Sequence, residues 1–216
     1  QARRFFGCEL VQGLGSYMPE ALYDDGIDER PYPADDTEIC LGFDGSQSGD
    51  WSAIRAETVG GYRFTPVYGV DRRPTYWNPV EWEGRIPRSE VDAAVSDLFN
   101  HFKVKRFYCD PHLWESLIDD WSVRFGEDVV VQWPTNRTGR MYDALTRFMT
   151  DTTDGTTTHS DDPVAKLHMM AARKVAKPGD KYVLGKPSEN QKIDITMADI
   201  LAHEAASDMR ALGWSA

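Results

Sequence analysis

Two apolar runs that each end in an aspartate constrain this chain most. Glu38–Phe43 is nearly continuous in apolar residues and stops at Asp44-Gly45-Ser46, and Val104–Cys109 stops at Asp110-Pro111. A short unbroken apolar run bounded by turn residues is the pattern of a central strand covered on both faces. Such a strand demands helices above and below a sheet. A carboxylate at its end is expensive to desolvate unless something compensates it. Each aspartate taken alone also reads as a turn residue, because Asp-Gly and Asp-Pro are common in bends.

The other elements follow from spacing. Strands over Ser52–Val59 and Tyr62–Val70 flank Gly60-Gly61, a pair suited to a tight hairpin because glycine accepts positive φ. Asp71–Pro87, rich in Arg, Pro and Trp, reads as a loop. A helix begins near Pro87-Arg88-Ser89, with Val91, Ala94, Val95, Leu98, Phe99 and Phe102 at helical spacing. Next come a helix over Trp114–Phe125, a strand over Val129–Trp133 and a helix near Met141–Met149. Thr150–Asp162 reads as polar and flexible, Val164–Val175 as helix, and Tyr182–Leu184 as a short extended piece. A final helix spans about Asp194 to Leu212. Three strands followed by alternating helix and strand make an α/β domain.

Residues 1–35, with breakers such as Gly13-Leu14-Gly15 and Pro31-Tyr32-Pro33, read as an irregular linker, and residues 36–216 as one domain. The opening Gln suggests an excised fragment. No run approaches the roughly 20 apolar residues of a membrane span, so no membrane partner is expected. No signal peptide is visible. Cys40 and Cys109 sit inside strand-like runs as buried thiols, and no Cys/His cluster has zinc spacing. A reduced, cytoplasmic protein is expected. The formal charge of −11 argues against a protein that coats nucleic acid, but not against an enzyme that cuts it. A metal site needs clustered acids, and a local basic patch can hold phosphate on an acidic molecule.

A third aspartate, Asp194 in Lys192-Ile193-Asp194, is placed as a helix N-cap. Ala198, Ala202 and Ala205 follow near its face, and such small side chains let a helix approach a sheet closely. Two Asp-ended strands side by side, with this helix across their ends, would gather carboxylates whose repulsion divalent cations readily offset. Oxygen ligands favour Mg²⁺ or Mn²⁺ over zinc. Two such ions about 3.5–4 Å apart can activate a water and stabilise the leaving oxygen of a phosphodiester. Asp199, about 140° around the helix from Asp194, is expected to be solvated.

The order of motifs resembles the ribonuclease H-like nuclease domain of phage terminase large subunits. They are Leu41-Gly42-Phe43-Asp44-Gly45-Ser46 with Asp50 downstream, Tyr108-Cys109-Asp110-Pro111 with Trp114, and Trp133-Pro134-Thr135-Asn136. His159-Ser160-Asp161-Asp162-Pro163 with His168, and Lys192-Ile193-Asp194 with its Ala-rich helix, complete the set. Ala171 departs from the pattern, since relatives often carry Asn there.

The resemblance implies a mixed central sheet, three antiparallel strands then parallel ones, with helices on both faces. It implies a metal-dependent endonuclease that cleaves concatemeric double-stranded viral DNA during genome packaging in the host cytoplasm. Asp44, Asp110 and Asp194 would be its metal-binding triad, with Asp44 bridging two Mg²⁺ or Mn²⁺ ions and Asp50 as an auxiliary ligand. A small terminase subunit and the portal protein are the implied partners. No GxxxxGK[ST] phosphate loop is present, so the ATPase domain of such proteins is expected upstream.

Arg137, Arg140, Lys174, Lys181, Lys186 and Lys192 cluster near the expected site and are candidates for DNA phosphate contacts. Arg72 and Arg73, beside Tyr76 and Trp77, form a second candidate patch. Trp114 and Trp133 read as core. His159 and His168 read either as packing residues or as helpers near the metals. Two other functions fit the same residues. A Holliday-junction resolvase or transposase would use similar acids, though a resolvase is normally a basic dimer; a silent docking module for portal or DNA would leave the acids idle.

Overall fold

The structure, a computed structural model, describes residues 13–46 and 48–215. In chain order the first elements are β1 (Gly13–Ser16), α1 (Glu20–Asp25), β2 (Glu38–Asp44), β3 (Ser52–Thr58), β4 (Tyr62–Phe64), β5 (Val67–Tyr68), β6 (Arg73–Pro74) and β7 (Tyr76–Trp77). After a 3₁₀ turn at Pro79–Trp82 come α2 (Arg88–His101), β8 (Lys103–Cys109), α3 (Glu115–Phe125), β9 (Val130–Gln132) and α4 (Thr138–Thr153). The remainder is β10 (Thr158–His159), α5 (Pro163–Ala171), β11 (Arg173–Lys177), β12 (Lys181–Gly185) and α6 (Asp194–Ala211).

Seven strands among the described residues form the main sheet, in the order β10-β4-β3-β2-β8-β9 with β7 against β3. β2, β3 and β4 are antiparallel, while β2, β8 and β9 run parallel. This is the expected mixed sheet.

Strand alternation sorts β2 between two cores. Ile39, Leu41 and Phe43 pack with α2 and α3, where Val91, Leu98, Ile118 and Trp121 are buried. Cys40 faces the other layer, built from α4, α5 and α6 with Leu145, Phe148, Met169 and Leu201. On β8, Phe107 and Cys109 join the first core and Tyr108 the second. Period-2 alternation then directs Asp44 and Asp110 toward the α6 layer. Trp114 and Trp133 are fully buried, as expected. No helix among the described residues is long and apolar enough to cross a membrane.

Four expectations change. Residues 13–25 are not irregular: β1 pairs with β11, α1 follows, and Tyr17, Met18 and Tyr23 enter the second core, whereas residues 28–34 carry no regular element. The earlier part of the linker, up to Gln12, lies outside the described residues. The strand from Tyr62 stops at Phe64, just before Thr65-Pro66, because proline has no N–H for the ladder. Thr150–Asp162 carries the last turn of α4 and then β10, which pairs parallel to β4. The pairing uses main-chain bonds such as Thr158 N–H to Gly61 O, which side-chain polarity does not reveal. Finally, the helix from Pro163 ends at Ala171, and Arg173–Lys177 turns through Pro178-Gly179-Asp180 into β12 as a hairpin.

Candidate functional site

β2 and β8 end side by side: Phe43 is in register with Cys109, and Asp110 N–H donates to Phe43 O at 2.9 Å. The aspartates that follow these residues therefore leave the sheet as neighbours on one face. α6 covers that face at close range. A Cβ on Gly42 would collide with the main-chain oxygen of Ala198 and nitrogen of Ala202, so only glycine lets the helix lie this near. The stripe of Ala198, Ala202 and Ala205 is completely buried, as the small-residue pattern anticipated. With α6 seated there, its first residue, Asp194, stands over the strand ends.

Asp44, Asp50 and Asp194 line one cleft of about 320 Å³, together with Thr135 and Lys186. Asp44 and Asp110 are half-buried, and Asp194 is 8% exposed. Thr135 Oγ1 donates to Asp110 at 2.8 Å, which fixes that carboxylate against the cleft wall. Burial, then Asp194, Asp110 and Asp50 in turn, push the Asp44 carboxyl well above the ordinary carboxylate range. Asp194 is raised to about 6, mainly by burial and by Asp50, against a smaller opposing effect of backbone N–H groups. Every charge that bears on Asp44 is thus negative.

The donors are all oxygen, which suits a hard cation such as Mg²⁺ or Mn²⁺. Among the described residues, no three His, Cys, Asp or Glu side chains enclose a single point as a finished ligand cage. The cluster is open, and no cation bears on Asp44.

Asp50 differs from the other three. Its carboxylate accepts from Lys186 Nζ at 2.8 Å and Lys192 Nζ at 2.7 Å. Burial alone would raise its pKa, but the two ammonium groups outweigh that and lower it. Two of the expected phosphate-binding lysines are therefore engaged with an expected metal ligand, a pairing that sequence order does not suggest.

None of the other basic candidates is among the residues lining the cleft. Arg137 sits at the start of α4, and the Arg140 guanidinium lies 4.4 Å over the Trp133 ring. Lys181 on β12 approaches Gly139. Lys174 Nζ lies 5.0 Å over Tyr182. The second patch is spent elsewhere: Arg73 pairs with Glu90 at 2.7 Å, Arg72 covers the Tyr32 ring, and Trp77 is buried.

The two histidines part company. His159 is buried at the sheet edge, where its ring nitrogens meet Tyr23 O at 2.9 Å and Ser160 O at 3.0 Å. It ties α1 to β10. His168 is buried beside the cleft, and its Nδ1 accepts from Ile195 N–H at 3.2 Å, satisfying an orphan donor at the start of α6. Burial lowers its pKa to about 4, which keeps the ring neutral for that acceptor role.

Asp199 corrects the expectation of solvent exposure. It is 4% exposed and accepts from Arg55 Nε at 3.0 Å and from Arg63. The first two-thirds of α6 is buried nearly all round, so a 140° turn from Asp194 leads to another buried face. A larger apolar hollow of about 780 Å³, between Trp51, Val80 and Leu167, adjoins the cleft but brings none of the four aspartates to its wall.

The fold is that of the ribonuclease H-like nuclease domains of phage large terminases. The nuclease domain of the large terminase from thermophilic phage G20c superposes with a TM-score of 0.67 at 13% identity, covering 88% of this chain and 98% of that one. The same domain has been solved with bound magnesium. The HK97 bacteriophage large terminase gives a TM-score of 0.68 at 14% identity, with 89% of this chain matching 43% of that chain. By sequence, the chain is 29% identical over 182 residues to the Gene 13 protein of Mycobacterium phage L5, covering 79% of this chain and 29% of that protein. The chain thus spans under a third of the length of the curated relative it matches. No family model matches it.

Proposed function

We propose that this chain is the nuclease portion of a phage large terminase, a divalent-cation-dependent endonuclease that cuts double-stranded DNA during genome packaging. The observation that carries the reading is Asp44: a half-buried carboxylate at the strand end, raised first by burial and then by three other acids, with no countercharge bearing on it. A protein gains nothing in stability from that arrangement, so its use lies in attracting a cation.

Asp44, Asp110 and Asp194 would hold the ions, with their side chains closing in from the open arrangement. Divalent cations held by oxygen ligands supply charge neutralisation and an acidified water for phosphodiester hydrolysis. Thr135 holds Asp110 in orientation, and His168 holds the first turn of α6, and with it Asp194. Arg137, Arg140, Lys174 and Lys181 would bind the DNA backbone without reading sequence. In this reading a portal protein and a small terminase subunit bring the enzyme to its DNA, and an ATPase domain belongs to the same machine.

The test is nicking of supercoiled plasmid with Mg²⁺ or Mn²⁺, with and without chelator. Cutting that needs the cation and disappears in Asp44→Asn and Asp194→Asn supports the reading. Plasmid left intact under every metal condition would overturn it in favour of a docking module.

A further inference from the structure

Lys186 and Lys192 do more in this geometry than wait for phosphate. Both come from the stretch that links β12 to Asp194, and both close on the same carboxylate. Lys192 also donates to Gly49 O at 2.6 Å, bracing the turn that carries Asp50. Lys186 makes a second pair with Glu189 at 3.1 Å. The two lysine side chains are 24% and 18% exposed, so a ligand entering from solvent can reach them.

An oxygen of Asp50 that accepts from two ammonium groups is a poor ligand for a cation, because the ion must displace both donors or sit beside two positive charges. The same ammonium groups are natural partners for a phosphate dianion or diester. One side-chain pair therefore faces two mutually exclusive bonds. We infer that Lys186 and Lys192 act as positioning residues that withhold Asp50 from metal until DNA phosphate takes the lysines, so that occupancy of the second cation position is coupled to substrate. The inference rests on the nuclease reading and adds to it an order of events: the ion at Asp44 is held without DNA, and the ion that needs Asp50 follows DNA.

The coupling predicts a particular pattern of binding without any turnover. Mn²⁺ binding is followed by electron paramagnetic resonance of the free ion, for the wild-type chain and the Lys186→Met/Lys192→Met variant. Parallel measurements use Asp50→Asn and the combination of all three changes, and circular dichroism verifies each fold. In the absence of DNA, removing the lysines is expected to tighten the second Mn²⁺ at least about tenfold while shifting the first by less than about threefold. In the Asp50→Asn background the same removal should shift the second ion by less than about twofold, since a double-mutant cycle isolates the interaction between the partners. A short duplex should then narrow the gap between wild type and the lysine variant to within about threefold.

Equal tightening with and without Asp50 would reduce the effect to general electrostatics and overturn the inference. A gap that persists undiminished with duplex would overturn the coupling to DNA. If wild type binds no Mn²⁺ that Asp44→Asn removes, the nuclease reading itself fails, and this inference goes with it.

Discussion

The two ends of α6 bury acid in opposite ways. Toward the middle and C-terminal end, each buried carboxylate has a cation supplied by the fold. Asp199 lies between Arg55 and Arg63, Glu57 meets His203 at 2.8 Å and Arg210 at 2.8 Å, and Glu204 pairs with Arg147. At the N-terminal end, the charges of Asp194, Asp110 and Asp50 bear on Asp44, and no cation does. Asp199 and Glu57 are accordingly lowered despite burial, while Asp44 and Asp194 are raised; at Glu204 burial outweighs Arg147 and that carboxyl is raised as well. Buried acid is therefore not in itself a sign of function in this molecule. The proposed function rests instead on buried acid left without countercharge, at Asp44.

The largest effect that can break this contrast is on cutting. Asp44→Asn should lower plasmid nicking by at least about a thousandfold, the scale of several kcal/mol that positioned cations contribute. It should leave the melting temperature in chelator unchanged or higher, because a repulsive charge is gone; a fall of several degrees would show that Asp44 is structural. The reverse is expected at Asp199. Asp199→Ala strands two buried guanidinium groups and should cost about 3–5 kcal/mol in urea denaturation, as when one partner of a buried pair is removed. A loss below about 1 kcal/mol would erase the distinction between the two ends.

Cation binding sharpens the comparison further. At a hundredfold excess over its dissociation constant, Mg²⁺ should stabilise the wild type by about 2.7 kcal/mol. For a domain of this size that is a rise of about 5–10 °C in melting temperature, read by scanning calorimetry. Asp44→Asn should show no rise, and Asp199→Asn, if it folds, should keep it.

Smaller still are the pH effects, which fall in different windows. Burial alone would lower the His203 pKa, but Glu57 and Asp151 outweigh it and hold the imidazolium up to about 9. A raised folded-state pKa means that its stabilisation is complete below about pH 6.5 and drains as pH rises through about 9. The wild type should lose melting temperature relative to His203→Gln across that interval; parallel curves would exclude the pairing. Asp194, raised to about 6 from 3.8, favours the fold at low pH, and that share is lost as pH rises through about 6. In chelator, stability relative to Asp194→Asn should decline between about pH 4 and 6, and Mg²⁺ should remove the decline.

The site was more legible in the sequence than the scaffold around it. Asp44, Asp110 and Asp194 stand at element boundaries, where a change in hydrophobic pattern marks both the element's end and the residue that sits there. Gly42 and the alanines of α6 could be read as close-packing residues because small side chains have few other uses in a buried strand or helix. Partners are another matter. Arg55 and Arg63 reach Asp199 from 144 and 136 residues away, and no local pattern records such a pairing. The Asp50 clamp was hidden for the same reason, since Lys186 and Lys192 read as contacts for DNA phosphate. The β11–β12 hairpin was missed because Arg173-Lys174-Val175 contains no helix breaker, and the only signal was the Pro178-Gly179-Asp180 turn beyond it. Tyr17, Met18 and Tyr23 lie among turn residues, which obscured their place in the core.

The absent side chain at Gly42 has a further consequence. Because main chain meets main chain there, the gap between the sheet and α6 is set by atoms that every substitution leaves in place. Neighbouring core positions can drift through ordinary exchanges of leucine for methionine or valine for isoleucine, and the span from Asp44 to Asp194 has little room to follow them. A lineage of such chains could diverge widely in sequence and still keep the same gauge between its acids, provided that one hydrogen atom is never exchanged for a methyl group.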